Sequence, residues 1–300
     1  GKPGVALTSF IRYVFAAPAF SAHIQRITTG ANIPHISGKD IAAYEFELPH
    51  LDAQGKVVEI LSGYDDLIAT NQRRITLLED AARRLYREWF VHLRFPGHES
   101  VPVKDGIPQG WQLLPLTEVA EFINGFAFKP AHQLESGLPI VKIPELRDGV
   151  SSKTPRNSGT DVPARNRIDT GDVLFSWSAT LLVNEWSDGP ALLNQHLFKV
   201  QPRDAARKRH IRFAVEEAIP SLLGQSVGAT MQHIRRSALD THVVLVPDEA
   251  VAEAFAMLVD PMMDTVLNLL AQNRKLIAAR DLLLPQLMSG ALDVSGISLP

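Results

Sequence analysis

Between residues 61 and 89 apolar or neutral residues recur at gaps that alternate three and four: Leu61, Tyr64, Ile68, Asn71, Ile75, Leu78, Ala82, Leu85 and Trp89. That spacing lays one stripe along one side of a helix, while Asp65, Asp66, Arg73, Arg74, Glu79, Asp80, Arg83, Arg84 and Arg87 take the outward positions. A single such seam cannot stay folded in water, and a second one lies near the C-terminus. Val259, Met263, Val266, Leu270, Asn273, Ile277 and Leu284 repeat the phase, with Arg280 as the exception. Two unrelated amphipathic helices would satisfy the spacing. The sharper reading is an intramolecular antiparallel pair, in which the seam residues Asn71 and Asn273 fix register at some expense in stability, so that Asn71→Ile should stabilise the pair.

Away from the two seams the period changes. Tyr44, Phe46 and Leu48 alternate with Glu45 and Glu47, which predicts a short strand after a helix and a Gly-bearing loop. Residues 138–143, 173–177, 196–200 and 242–246 read as strands bounded by Gly, Pro, Asp or Asn, and residues 207–223 as a helix. Gly171-Asp172 reads as a turn into a strand. Pro285 and Gly290 are expected to end the second long helix. Many short strands between the seams predict a compact β-rich domain.

The chain also repeats itself. Phe15-Ala16, Gly30-Ala31, His35-Ile36 and Pro49 recur as Phe213-Ala214, Gly228-Ala229, His233-Ile234 and Pro247, every pair 198 positions apart (15 to 213, 49 to 247). Asn71 recurs at Asn273, so about one helical turn is added before the second seam. The organisation expected is a C-terminal remnant of a first domain (1–50), a spacer helix (51–95), a linker (96–109), a complete domain (110–247), a second spacer helix (248–290) and a tail (291–300). On this reading the first domain lacks its β-rich front half and the chain is truncated.

Composition narrows the chemistry. With 300 residues and 45% hydrophobic content the chain can bury a core, and no run of apolar residues suggests a membrane span or a signal peptide. Zero Cys excludes disulfides, thiolate metal sites and a Cys nucleophile, and the ten His show no metal-ligand spacing. No metal and no cofactor is expected. There is no G-x-G-x-x-G, no P-loop, no D/N-P-P-Y/F motif and no nucleophile elbow, which leaves a small-molecule enzyme the weakest class. A net charge of -3 argues mildly against a self-sufficient nucleic-acid binder, unless charge is segregated or binding is shared with a partner.

Several segments, in order, carry a resemblance. They are Ile107-Pro108-Gln109-Gly110-Trp111, then LTEVAEFINGFAF, then Gly171-Asp172-Val173-Leu174 with Ser176, and Asn194-Gln195-His196. SVGATMQHI follows, with the helices LIATNQRRITLLEDAARRLYREWF and LLAQNRKLIAARDLLLPQLMSG. Together they cover nearly the whole chain, which resembles the specificity subunit (HsdS) of type I restriction–modification systems. The resemblance implies an α+β fold: a mixed, β-rich target-recognition domain plus a long antiparallel coiled-coil helix pair. It implies a non-catalytic, cytoplasmic subunit that binds double-stranded DNA and docks methyltransferase (modification) subunits and restriction/translocase subunits. With one complete recognition domain, the chain either self-associates or reads a half-site. The alternative, from another class, is a helical-spacer interaction protein whose β-rich domain binds protein.

Two stretches compete for the DNA. Lys153, Arg156, Arg165 and Arg167 lie among Ser, Thr and Asn residues that supply donors to phosphates and base edges, or else form a solvated loop. In residues 228–236, Thr230, Gln232 and His233 offer hydrogen bonds beside Gly228, and Arg235 and Arg236 add charge; the resemblance places this segment beside DNA. A packing hairpin is its structural alternative. Asn194, Gln195 and His196 serve as base contacts or as structural hydrogen-bonding groups, and Trp177 as a groove wedge or a core residue. Arg207, Lys208 and Arg209 open a helix placed to face a phosphate. Arg83, Arg84 and Arg87 read as intrahelical pairs or partner-docking charges.

Overall fold

The computed structural model describes residues 3–28, 36–224, 234–294 and 296. The chain forms two compact units, Gly1–Arg73 with Gln272–Pro300, and Arg74–Ala271. Each long helix contributes one stretch to either unit.

The first unit begins with α1 (Thr8–Ala16) and α2 (Pro18–Ile27). Ala17 between them is extended because the ring of Pro18 excludes the helical conformation from the residue before it. A short α3 (Gly38–Ala42) is capped by Ser37, whose backbone N–H donates to Asp40 Oδ2 at 2.7 Å. Then comes α4 (Leu51–Tyr86), of 36 residues. Phe10, Tyr13, Val14 and Ala17 pack with Val57 and Leu61 of α4 and with Leu284 and Leu287 of the C-terminal helix. Gln54 is buried and clamps the chain: it accepts from Leu7 N–H at 2.8 Å and donates to Val5 O and Pro49 O.

The antiparallel pairing is borne out within this unit. Leu61, Asn71 and Asn273 are buried, Tyr64 and Ile68 half-buried, and Asn71 Nδ2 donates to Asn273 Oδ1 at 3.0 Å. Asn273 Nδ2 donates in turn to Ile68 O, at 3.3 Å. Two expectations are corrected. Ile277 is 38% exposed, because the seam there is filled by Arg280, which donates to Asp65 at 2.8 Å while Tyr13 OH donates to the other carboxylate oxygen. Asn71→Ile, expected to stabilise, would instead strand the Asn273 side-chain oxygen. The expected result is a loss of about 1–3 kcal/mol for the single variant. Restoration in Asn71→Ile/Asn273→Leu, read by urea unfolding, would show that the pair and not the position carries the effect.

The strand expected over Tyr44, Phe46 and Leu48 is absent. These residues carry no regular secondary structure, and among the described residues no strand pairs with them. Alternation marks a strand's faces but supplies no hydrogen-bonding neighbour.

In the second unit α4 ends in a π-helical turn (Arg87–Val91) that buries Trp89 and Phe90. The strands are β1 (Val103–Lys104), β2 (Ile107–Pro108) and β3 (Gln112–Pro115), then α5 (Leu116–Val119) and β4 (Ala120–Asn124). Next are β5 (Leu138–Val141), α6 (Ile143–Asp148), β6 (Arg156–Asn157), β7 (Arg167–Ile168), β8 (Val173–Ser176), β9 (Leu182–Glu185), β10 (Ala191–Leu193) and β11 (Leu197–Pro202). The chain closes with α7 (Lys208–Gly224), α8 (Arg236–Thr241), β12 (Val243–Val246) and α9 (Glu249–Met288). Two four-stranded sheets have the orders β6-β5-β10-β7 and β4-β11-β8-β9, and β12 pairs with β3. The mixed α+β class with a β-rich body and a long helix pair is as expected.

Here too the seam is buried: Ile75, Val259, Met263 and Val266 sit in a core shared with the sheets of this unit, and Leu78, Leu85 and Leu270 pack on its edge. α9 does not stop at Pro285 but continues to Met288, and Gly290, with φ 70°, follows it. A window of α9 reaches a mean hydropathy of 1.4, enough by length and composition for a membrane span. Its inward face is committed to these cores.

The repeat survives in the helix starts. α3 and α8 begin at residues 38 and 236, and α4 and α9 at 51 and 249, each 198 apart. The extra turn before Asn273 therefore lies inside α9. The repeat positions Gly30-Ala31, His35, Gly228-Ala229 and His233 fall outside the described residues.

Candidate nucleic-acid interface

Because β4, β11 and β8 are neighbours in one sheet, the segments beyond their ends meet. Asn194-Gln195-His196 connects β10 to β11 and lies at the centre. Phe126 N–H donates to Leu193 O at 2.8 Å, and Gln195 N–H donates back to Phe126 O at 3.0 Å. Gly125 approaches so closely that a Cβ there would sit 2.0 Å from Asn194 O, so only glycine fits. Asn194 is buried and its Oδ1 accepts from His196 N–H, which makes it a structural residue.

On one side the turn after β8 joins in. Trp177 Nε1 donates to Gln195 O at 3.2 Å, and Ser178 Oγ lies 3.3 Å from His196 Nδ1. Ile234 N–H donates to Trp177 O at 3.0 Å, which anchors the start of α8 to the same turn. Trp177 is thus half-buried and hydrogen-bonded, between the two roles set out for it.

On the other side the segment after β4 presents Phe126 and Phe128, ring centroids 4.9 Å apart, with His132 against Phe126 at 5.9 Å. Asn157 Nδ2 donates to His132 O at 2.7 Å, and Leu134 N–H to Arg156 O at 2.8 Å. Asn166 Nδ2 bonds Asn124 O at 2.6 Å, fixing the turn that carries Arg165 and Arg167. The result is a continuous rim from Arg165 and Arg167 through Phe126, Gln195 and Trp177 to Arg235.

Arg156, Arg165 and Arg167 of one competing stretch and Arg235 of the other therefore lie along one rim, and Lys153 stands apart from it. Its exposed turn is tied instead to Glu145, through Thr154, and to Asp188, through Val150. Arg156 donates to Gly137 O and Arg167 to Gly159 O, while Arg165, Arg235 and Arg236 are exposed. Thr230, Gln232 and His233 lie outside the described residues. Sequence reasoning missed residues 125–132; the signal was a glycine directly between a strand and an aromatic pair.

Ion pairing separates the arginines. Among the described residues Arg156, Arg165, Arg167, Arg235 and Arg236 have no carboxylate partner within 4.0 Å. Others are committed. Arg83 and Arg87 are not paired only along their own helix: they reach Glu216 and Glu217 of α7, each at 2.9 Å. Arg209 faces no phosphate, because it is buried against Glu185 of β9 and Asp264 of α9. Burial pulls its pKa down, but the bonds to Glu185 and Asp264 outweigh this and hold it above the ordinary value. Arg207 is held by Asp204 and Pro247 O, and Lys208 sits 3.5 Å from Glu185.

Residues 6–80 match the family model described as "Type I restriction modification DNA specificity domain". The chain is 24% identical to the type I restriction enzyme MjaIX specificity subunit of Methanocaldococcus jannaschii, over 98% of this chain and 71% of that protein. It is 31% identical to the MjaVIII specificity subunit of the same organism, over 41% of this chain and 29% of that protein. In fold it is similar to the type I restriction–modification S subunit from M. genitalium, with a TM-score of 0.58 at 14% identity, covering 96% of this chain and 74% of that one. A seam closed by Asn71 and Asn273, a repeat in which α3 and α4 return as α8 and α9, and a relative matched over 98% of this chain agree with one another: residues 6–80 match the type I specificity domain, and the chain is similar along nearly its whole length to a type I restriction–modification specificity subunit.

Proposed function

We propose that this chain is a non-enzymatic subunit that reads a DNA sequence through the rim of its second unit. In this reading it guides methyltransferase subunits, and with them restriction/translocase subunits, to the site in the cytoplasm. The observation that carries the reading is the rim itself. Arginines free of carboxylates, amide side chains and half-buried aromatic rings come from five separate segments, held together by backbone hydrogen bonds and by the side chains of Trp177 and Asn166. Arg, Asn and Gln are the residues that match phosphate oxygens and base edges, and a scaffolded rim holds them without ordering loops at the moment of binding.

The test is a titration of duplex DNA, with the partner subunits present, at several salt concentrations. For every phosphate the protein no longer neutralises, the slope of log K against log salt should fall by ~0.9. Arg165→Ala and Arg235→Ala are expected to weaken matched and mismatched duplexes alike and to flatten that slope. Gln195→Ala, at the centre of the rim, should lower the ratio between matched and mismatched duplexes by about 1–3 kcal/mol if its amide meets a base edge. Binding that ignores salt, with all three variants unchanged, would favour the helical-spacer interaction protein.

A further inference from the structure

Two half-buried side chains on the rim, Gln195 and His132, have their hydrogen-bonding sense fixed by backbone N–H groups, which can only donate. For Gln195 the chain of reasoning starts at its buried neighbour Asn194, whose side chain takes the His196 N–H at 3.3 Å. The atom that accepts there is Oδ1, so the other end of the amide is the amino group Nδ2. Nδ2 donates to Gln195 Oε1 at 2.5 Å. The Gln195 oxygen is thereby engaged by the protein. Its amino group Nε2 has no partner among the described residues and is the end left for a ligand. For His132 one step suffices. Lys129 N–H donates to His132 Nδ1 at 3.1 Å, so Nδ1 is bare and the ring hydrogen sits on Nε2. Asn157 holds the His132 backbone at 2.7 Å, and the ring lies against Phe126, which keeps it in place. His196 differs: it meets Ser178 Oγ, a hydroxyl that donates or accepts, and its sense is not fixed.

We infer that Gln195 Nε2 and His132 Nε2 are dedicated donors to the major-groove edge of DNA, and that the base each selects is guanine. Guanine presents N7 and O6 there, both acceptors. Cytosine presents its N4 amino group, which would meet either side chain hydrogen to hydrogen. Adenine sets an amino group beside its N7, and the matched pair that a glutamine offers adenine needs Oε1, which Asn194 holds. Thymine offers O4 alone, next to a methyl group. The sense of Gln195 resists reversal. Turning its amide over would set two amino groups against each other, and turning Asn194 to relieve them would set Nδ2 against the His196 N–H. Either arrangement leaves a buried donor unpaired. His132 is held in the same way, because a hydrogen on Nδ1 would face the Lys129 N–H and open the turn at residues 129–132.

The inference rests on the reading of the rim as a DNA surface, and the test separates the two. The full 300-residue chain, with methyltransferase subunits, selects duplexes from a pool with a randomised centre. Each guanine fixed by selection is then replaced by 7-deazaguanine, which lacks the N7 acceptor, or by inosine, which lacks only the minor-groove amino group. At the positions read by Gln195 and His132, 7-deazaguanine should bind about tenfold more weakly and inosine as well as guanine. Gln195→Glu keeps an oxygen for Asn194 Nδ2 and turns the donor into an acceptor, so the preferred G·C pair at its position should give way to C·G. His132→Asp keeps an acceptor for Lys129 N–H, as Asp40 does for Ser37 N–H, and removes the donor. Discrimination at the second position should then fall about tenfold. If no duplex is retained at any salt concentration, the DNA reading fails and this inference fails with it. Selective, salt-dependent binding that accepts 7-deazaguanine at every fixed guanine would overturn the donor assignment alone. So would a Gln195→Glu variant that keeps the wild-type preference.

Discussion

Replacing Arg209 by Leu should lower the stability of the second unit by about 3–5 kcal/mol, the range expected when one member of a buried ion pair is removed and the other left behind. Arg209 holds Glu185 with two bonds, Nε to Oε1 at 3.0 Å and Nη2 to Oε2 at 3.2 Å, and the Glu185 side chain is 1% exposed. The same guanidinium donates to Asp260 O at 2.9 Å and to Asp264 Oδ1 at 2.6 Å, so it joins β9, α7 and α9 at one point. Without it the one cation within 4.0 Å of Glu185 among the described residues is Lys208, at 3.5 Å. Asp264 is largely exposed and can turn to water, which puts most of the loss on Glu185. The double variant Arg209→Leu/Glu185→Leu removes the stranded carboxylate as well and should recover most of the stability. Urea unfolding at pH 7 is the measurement. An unchanged midpoint in the single variant would mean that the pair contributes nothing net.

That arginine also shows where the sequence stops being legible. Arg207-Lys208-Arg209 looks like a basic patch at a helix start, and the helix is there. Its carboxylates, however, come from Glu185 and Asp264, 24 and 55 positions away, and no local spacing encodes such a meeting. The long helices were readable because their signal is periodic and self-contained: a side chain every three or four positions must share a face. The pairing of Asn71 with Asn273 was readable as two polar interruptions of one seam. Their mutual hydrogen bond was not, and it reverses the expected effect of Asn71→Ile.

The β structure divides in the same way. Strands 138–141, 173–176, 197–202 and 243–246 each found a partner and stand close to where alternation and turn residues put them. Residues 44–48 carry as clear an alternation and form no strand, since a strand needs a neighbour and the neighbour is non-local. The candidate interface follows from this limit. Arg156, Arg165 and Arg235 could be picked out as basic residues in polar settings. Only the order β4-β11-β8 brings residues 125–132, 177–178 and 194–196 between them.

Acidification should destabilise the protein in a way that depends on one buried histidine. His210 of α7 is buried among Tyr86, Phe90 and Phe255, with its ring 4.5 Å from that of Phe90. Neither ring nitrogen has a hydrogen-bond partner among the described residues; the Leu245 backbone lies near the ring without meeting hydrogen-bond geometry. Burial, and then the Arg207 charge, push its pKa from 6.5 down to about 3. The folded state therefore holds the ring neutral, while the unfolded chain takes up a proton near pH 6.5. Stability from this group is complete above that pH and is lost as pH falls toward 3, at up to ~1.4 kcal/mol per unit. Carboxylates titrate in part of the same window, so the informative quantity is the difference between the wild-type chain and His210→Phe, which keeps an aromatic ring and cannot be protonated. The two should be of similar stability at pH 7. At pH 5 the variant should gain about 2 kcal/mol relative to wild type, measured as the shift between their urea midpoints. Parallel stability curves from pH 7 to pH 4 would show that His210 is protonated as easily in the folded chain as in water. A ring with that access to a proton could not lie dry between α4, α7 and α9.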